Sequence, residues 1–221
     1  MATIAKPARA GGRPSHAAAA GIAGRIVAVA QSLFFTHGYG PTSIETIAKE
    51  AGISKRTFYA RFENKAAIFR AVVNQLIGEI KPANVDGLFE GRSCAEILHG
   101  LAQAILQASL NPQTLALQRL LIAEAPRFPE LALVMNEQGA RREAIRRIAA
   151  ILAREAESGR LAVPDPLLAA EMFLQMVVGL PQRRALGLGQ AMTQAELAAW
   201  GRSAVQVFLH GYSAAGTYPR P

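Results

Sequence analysis

Residues 42 to 65, TSIETIAKEAGISKRTFYARFENK, leave the backbone little freedom. Thr42 and Glu45 stand three apart, the spacing of a capping box, so a helix is expected from 43 to 50. Ile44, Ile47 and Ala48 give it one apolar face. Gly52 admits the left-handed backbone that ends a helix sharply, Ile53 is an apolar plug, and Ser54 can cap a second helix over 54–60. Phe58 and Phe62, four apart, share that helix's inward face. Arg56, Tyr59 and Ala60 then point outward, flanked by Lys55, Thr57 and Arg61, and Asn64 caps the next helix at once.

Two short helices about a tight turn, the second with cationic and hydroxyl side chains outward, is an arrangement a DNA major groove accepts. The competing reading is a solvated cationic face on ordinary amphipathic helices. Lys55, Arg56, Thr57, Ala60 and Arg61 are candidates for base edges, with Arg or Lys favouring guanine. Ala60 is small for that duty. Thr42, Ser43, Tyr59 and Lys65 are candidates for phosphates, which fix register without reading sequence. Lys65 falls in a helix's first turn, where the dipole disfavours a cation and a bound phosphate would relieve the mismatch. Charge placement agrees. The chain carries a net +8, and residues 1–70 hold ten Lys/Arg against three acids, leaving only +1 for the rest.

Ile47-Ala48, Ala51-Gly52, Ser54, Thr57, Tyr59, Phe62 and Lys65, preceded by Phe34, Gly38 and Tyr39, resemble the TetR/AcrR family of one-component transcriptional regulators. The likeness covers about residues 22 to 70. Farther on, RLLIAEAPRFPELA (Arg119 to Ala132) resembles one C-terminal subgroup of that family. The resemblance implies an all-helical, dimeric protein, usually released from DNA by a small molecule.

Residues 1–21, rich in Ala, Gly, Arg and Pro, read as a flexible basic arm. Gly12-Arg13-Pro14 within it is like the core of a minor-groove hook that lays Arg13 into A·T sequence; a disordered cationic tail is the plainer alternative. Residues 22–66 read as the helix-turn-helix domain, with helices near 23–37, 43–50 and 54–60. Residues 67–215 read as a larger helical domain for effector binding and dimerisation. A helix from Asn64 stops before Pro82, and 82–92 are loop-like. Ser93 with Glu96 and Thr193 with Glu196 are capping boxes; Asn111-Pro112 and Asp165-Pro166 put a cap ahead of proline; Pro129 opens a helix ending near Ser158-Gly159. No run shows strand alternation, so the expected fold is all-α with about nine helices.

In the helix over 166–186, EMFLQMVVGL is apolar nearly all round. The last helix aligns Leu197, Gly201, Ala204, Phe208 and Gly211, with Trp200 beside them. By resemblance these two helices build a dimer four-helix bundle, with Phe173, Val177, Leu180, Leu197, Trp200, Gly201, Ala204 and Phe208 as interface candidates. The alternative is the chain's own core. Resemblance also implies an effector pocket, for which Phe89, Leu98, Leu117, Leu121, Met135 and Phe173 are lining candidates and Gln118, Arg119 and Gln175 polar contacts. So apolar a set favours a hydrophobic effector.

Other chemistries find little support. Cys94 stands alone, excluding an intrachain disulfide and fitting a reducing, cytoplasmic setting. Arg25 interrupts the apolar run near the start, where Ile22, Ile26, Val29 and Leu33 instead follow helical spacing. No stretch reaches the roughly 18 uncharged apolar residues of a membrane span. His16, His37, His99 and His210 are scattered, no nucleophile elbow or phosphate loop occurs, and GLGQAM at 187–192 lacks the third glycine of a dinucleotide fingerprint. No cofactor and no enzymatic activity are expected. The sequence reading is a dimeric, ligand-responsive DNA-binding regulator, in this family most often a repressor, on an approximately palindromic operator of double-stranded DNA. Control by a protein partner without an effector is the rival.

Overall fold

The computed structural model of the chain describes residues 16–80, 93–137 and 140–213. Among these it is all-α, with ten helices: α1 (His16–His37), α2 (Ile44–Glu50), α3 (Lys55–Tyr59), α4 (Lys65–Ile80), α5 (Cys94–Ser109), α6 (Pro112–Glu124), α7 (Pro129–Glu137), α8 (Ala140–Glu157), α9 (Pro166–Ala185) and α10 (Gln194–Gly211).

Local chemistry sets most of these ends. Ser93 and Thr193 make complete capping boxes with Glu96 and Glu196. Asn111 and Asp165 cap α6 and α9 with proline in the first turn. Gly52 sits at φ +65°, and the Ile53 and Gly52 N–H groups close on the carbonyls of Ala48 and Lys49, so the last carbonyls of α2 are satisfied within the turn.

Two expectations are corrected. Ser43, not Thr42, caps α2, its Oγ accepting the Thr46 N–H at 3.0 Å. Thr42 is buried one residue upstream and donates its hydroxyl to the Gly38 carbonyl at 2.7 Å. The helix expected from Pro129 to near Ser158 is described as α7 over Pro129–Glu137 and α8 over Ala140–Glu157, with residues 138–139 outside the described residues. They serve different cores: Leu131 and Val134 of α7 join one, Ile145, Ile148 and Leu152 of α8 the other. Finally, α1 begins at His16 rather than 23, since Ala17–Ala20 have the highest helix propensity.

The first core gathers Ile26, Phe34, Tyr39, Ile47, Phe58, Ile68, Phe69 and Leu76 of the N-terminal helices, and runs on into Leu117, Leu120, Leu131 and Val134 of α6 and α7. The second joins α5, α8, α9 and α10 through Leu98, Leu101, Ile148, Leu152, Phe173, Val177, Val205 and Phe208. Each fully buried side chain of this kind contributes about 1.5–3 kcal/mol over leaving it exposed.

The stripe on α10 belongs to the second core. Gly201, Ala204 and Phe208 are buried within their own chain, as are Phe173 and Val177 of α9, and Leu197 packs against the same cluster. A Cβ at Gly201 would meet Leu106 Cδ1 at 3.5 Å and Ala102 Cβ at 3.9 Å, so the small residue lets α10 lie close against α5. Phe173, Val177, Gly201, Ala204 and Phe208 therefore do not form a free dimer face; Leu180, Leu197 and Trp200 remain partly exposed.

Candidate nucleic-acid interface

Phe58, fully buried beneath α3, orients everything on the helix's outer side. Its ring contacts Phe62 at 5.7 Å and the edge of Tyr59 at 5.7 Å. Ser54 Oγ accepts the Thr57 N–H at 3.1 Å and shares a hydrogen bond with Thr57 Oγ1 at 2.9 Å, which fixes the start of the helix. Lys55, Arg56, Tyr59 and Ala60 are exposed; Tyr59 shows 52 % of its surface, unusual for so large an apolar ring. Among the described residues nothing holds the Arg56 guanidinium. Lys55 pairs with Glu45 of α2, both side chains exposed, and that hydrogen bond keeps the Glu45 carboxyl below its usual range. Arg61 is half-buried and donates from Nη1 to the Thr57 carbonyl at 3.3 Å. α3 itself covers five residues, Lys55–Tyr59, with Ser54 and Ala60 as its caps, rather than spanning 54–60. A short helix with one free cation, one pairable cation and one exposed phenol can enter a groove and meet base edges or phosphates.

Two phosphate candidates are used internally instead. The Thr42 hydroxyl is spent on Gly38. Lys65 Nζ donates to the carbonyls of Tyr39, Gly40 and Thr42 at 2.7, 3.2 and 3.0 Å, which accounts for all three ammonium donors. The same nitrogen lies 4.3 Å from the Tyr39 ring centroid. Burial lowers the Lys65 ammonium below the usual lysine range, against Glu130 and Glu124, which raise it. The dipole mismatch read from sequence is therefore relieved by loop carbonyls, not by a phosphate. Ser43 is half-buried and caps α2. Arg13 lies outside the described residues.

Sequence reasoning missed the other side of this loop. Tyr39 is buried among Phe34, Phe69 and Phe128, with ring centroids 5.2 to 5.3 Å away at the nearest, and its hydroxyl donates to Glu130 Oε1 at 3.3 Å. Burial first and the Glu130 charge second hold that phenol above its ordinary range. The Gly40 N–H donates to Glu124 Oε2 at 3.3 Å. The signal was the APRFPEL run, noticed as a likeness but given no role.

The effector candidates do not converge. Leu98 and Phe173 lie in the second core, whereas Leu117, Leu121 and Met135 lie in or against the first. Gln175 is exposed, and Arg119, also exposed, donates to the Ala185 carbonyl at the end of α9 at 2.9 Å. Gln118 Oε1 is buried with no hydrogen-bond partner among the described residues. Phe89 lies outside them. One cleft of about 510 Å³ is lined by Ser93, Cys94, Glu155, Arg160, Leu161 and Leu209, and another of about 260 Å³ by Met176, Trp200, Ser203, Ala204 and Val207. Neither is where a pocket was expected. Burial pushes the Cys94 thiol up to about 11, leaving it un-ionised at neutral pH. Among the described residues no cluster of His, Cys, Asp and Glu could hold a metal, and no helix is long and apolar enough to cross a membrane.

A buried anchor under a short exposed cationic helix, behind a glycine-closed turn, defines a helix-turn-helix DNA-binding unit. Residues 26–72 match the family described as bacterial regulatory proteins of the tetR family, and residues 96–214 match the AefR-like transcriptional repressor C-terminal domain. The chain belongs to the TetR family of transcriptional regulators: it is a DNA-binding regulator, not an enzyme. A crystal structure from Mesorhizobium loti MAFF303099, described as a TetR-family regulator, is similar at 30 % identity, covering 88 % of this chain and 98 % of that one, with a TM-score of 0.72. The flavonoid-responsive regulator FrrA is similar at 29 % identity with the same coverage of both chains and a TM-score of 0.71. The HTH-type transcriptional repressor ComR of Escherichia coli (strain K12) is 33 % identical over 86 residues, 38 % of this chain and 41 % of ComR. The match therefore spans less than half of that relative.

Proposed function

We propose that this regulator is a homodimeric repressor of a two-fold-symmetric operator, released by a hydrophobic small molecule. The observation that carries the DNA part is the α3 surface, where Arg56 and Tyr59 stand free over a buried Phe58. Two copies of one reading helix require two related half-sites.

The dimer reading draws on a face different from the one expected. Met176 on α9 shares a cleft with Trp200, Ser203 and Val207 on α10, and Leu168 and Met172 of α9 and Val207 of α10 are 53 %, 49 % and 60 % exposed. Apolar surface of this sort on paired helices favours burial against a second copy.

For the effector, the likeness to a flavonoid-responsive regulator supports an aromatic, largely apolar ligand. The unpartnered Gln118 Oε1 offers a hydrogen-bond donor on such a ligand a place to bind. The test is a thermal-shift series with flavonoids, followed by operator release with any that bind. A bound effector raises Tm by mass action. If no flavonoid or other small apolar molecule raises Tm, while a protein from the source cell displaces the operator, the partner-controlled reading replaces this one.

A further inference from the structure

The turn over 38–42, between α1 and α2, is gripped from two sides. From below, Lys65 of α4 holds three of its carbonyls, at Tyr39, Gly40 and Thr42. From the C-terminal body, Glu124 at the end of α6 accepts the Gly40 N–H, and Glu130 in the first turn of α7 accepts the Tyr39 hydroxyl. Phe128, between them, stacks edge-on against Tyr39 at 5.2 Å. The fit has no slack. A Cβ at Gly38, where φ is +90°, would lie 2.5 Å from Glu124 Oε1, and one at Gly40 would lie 3.1 Å from the Phe128 ring. The elbow is itself stiff, because the Arg127 and Phe128 N–H groups both return to the Glu124 carbonyl at 2.9 Å.

We propose that this α6–α7 elbow, acting through Glu124, Phe128 and Glu130, is the joint by which the C-terminal body sets the stance of the reading helices. The proposal rests on the reading above, that effector binding controls operator binding, and it gives the APRFPEL run a task. Thr42, held by Lys65, is followed directly by Ser43, the cap of α2, so a shift of the turn carries the start of α2 with it. On the other side, Arg119 ties α6 to the last carbonyl of α9, the helix that carries part of the proposed dimer face. A continuous chain of contacts thus runs from α9 through α6 and the elbow to the turn. Contiguity alone does not make a coupling, which must show as an energetic dependence between the two ends.

Because coupling is reciprocal, DNA must act on the elbow as the elbow acts on DNA binding. The test is made on the full-length protein with Cys94→Ala, Arg127→Cys carrying an environment-sensitive dye, and a duplex recovered by selection from a random pool. DNA affinity is read in parallel from the anisotropy of labelled duplex. Saturation with the duplex is expected to shift the dye emission at position 127, and the same dye at an Arg154→Cys site on α8 is expected to stay silent. Tyr39→Phe with Glu124→Met, which roughly keeps shape and removes both elbow hydrogen bonds, is expected to abolish the shift while the duplex still binds. A silent position 127 at saturation overturns the proposal. So does a shift that survives in the double variant, since the dye would then be sensing DNA directly. If anisotropy shows no selective binding by the parent protein, the underlying reading falls, and the proposal with it.

Discussion

The indole N–H of Trp200 donates to the carbonyl oxygen of Val177 at 2.9 Å, and Val177 stands four residues before Pro181 inside α9. Proline has no N–H, so the Val177 carbonyl loses its partner within the helix. Trp200, from the next helix, supplies the missing donor. Trp200→Phe is therefore expected to destabilise the fold by about 1–3 kcal/mol, the cost of an unmet carbonyl. Adding Pro181→Ala restores a backbone donor, so the double variant is expected to recover part of that loss. Urea denaturation of all four proteins at one protomer concentration measures it; equal losses with and without Pro181 would show that the bond is incidental.

Thr42 and Ser43 are adjacent hydroxyls with different duties. Thr42→Val removes the bond to Gly38 in a buried site and is expected to cost about 1–2 kcal/mol of stability. Ser43→Ala removes the α2 cap and is expected to cost about 1 kcal/mol. With the Thr42 hydroxyl facing inward, Thr42→Val should leave the salt dependence of DNA binding unchanged. A flattened salt slope in Thr42→Val would return that hydroxyl to the interface.

A charge placed on the exposed face of α9 and α10 should separate the proposed dimer without unfolding either subunit. Met172→Glu and Val207→Asp, both at exposed positions, are expected to sediment as folded monomers at micromolar concentration. Operator affinity should fall with them, since each half-site would then be bound alone. Dimers that persist in both variants would move the interface elsewhere.

Much of this architecture was legible because caps are local. Ser54, Ser93, Asn111, Asp165 and Thr193 each bond a backbone N–H two or three residues on, and a short sequence window contains both partners. Lys65 was misread because its partners lie 23 to 26 residues earlier and meet it only in the folded loop. The α10 stripe showed which face of the helix is small and apolar, but periodicity does not name the partner; Gly201 turned out to serve α5 of the same chain. The elbow needed contacts 84 and 91 residues apart, beyond any pattern in a single sequence.

The most direct test of the α3 surface is anisotropy titration of a duplex recovered from a random pool, at several salt concentrations, for the parent protein, Arg56→Ala and Tyr59→Phe. The account predicts selective binding to a two-fold-symmetric site, a loss of about 1–3 kcal/mol with altered base preference in Arg56→Ala, and a weaker, sequence-independent loss in Tyr59→Phe. Binding of all duplexes alike, as by a generic polycation even at low ionic strength, would contradict it.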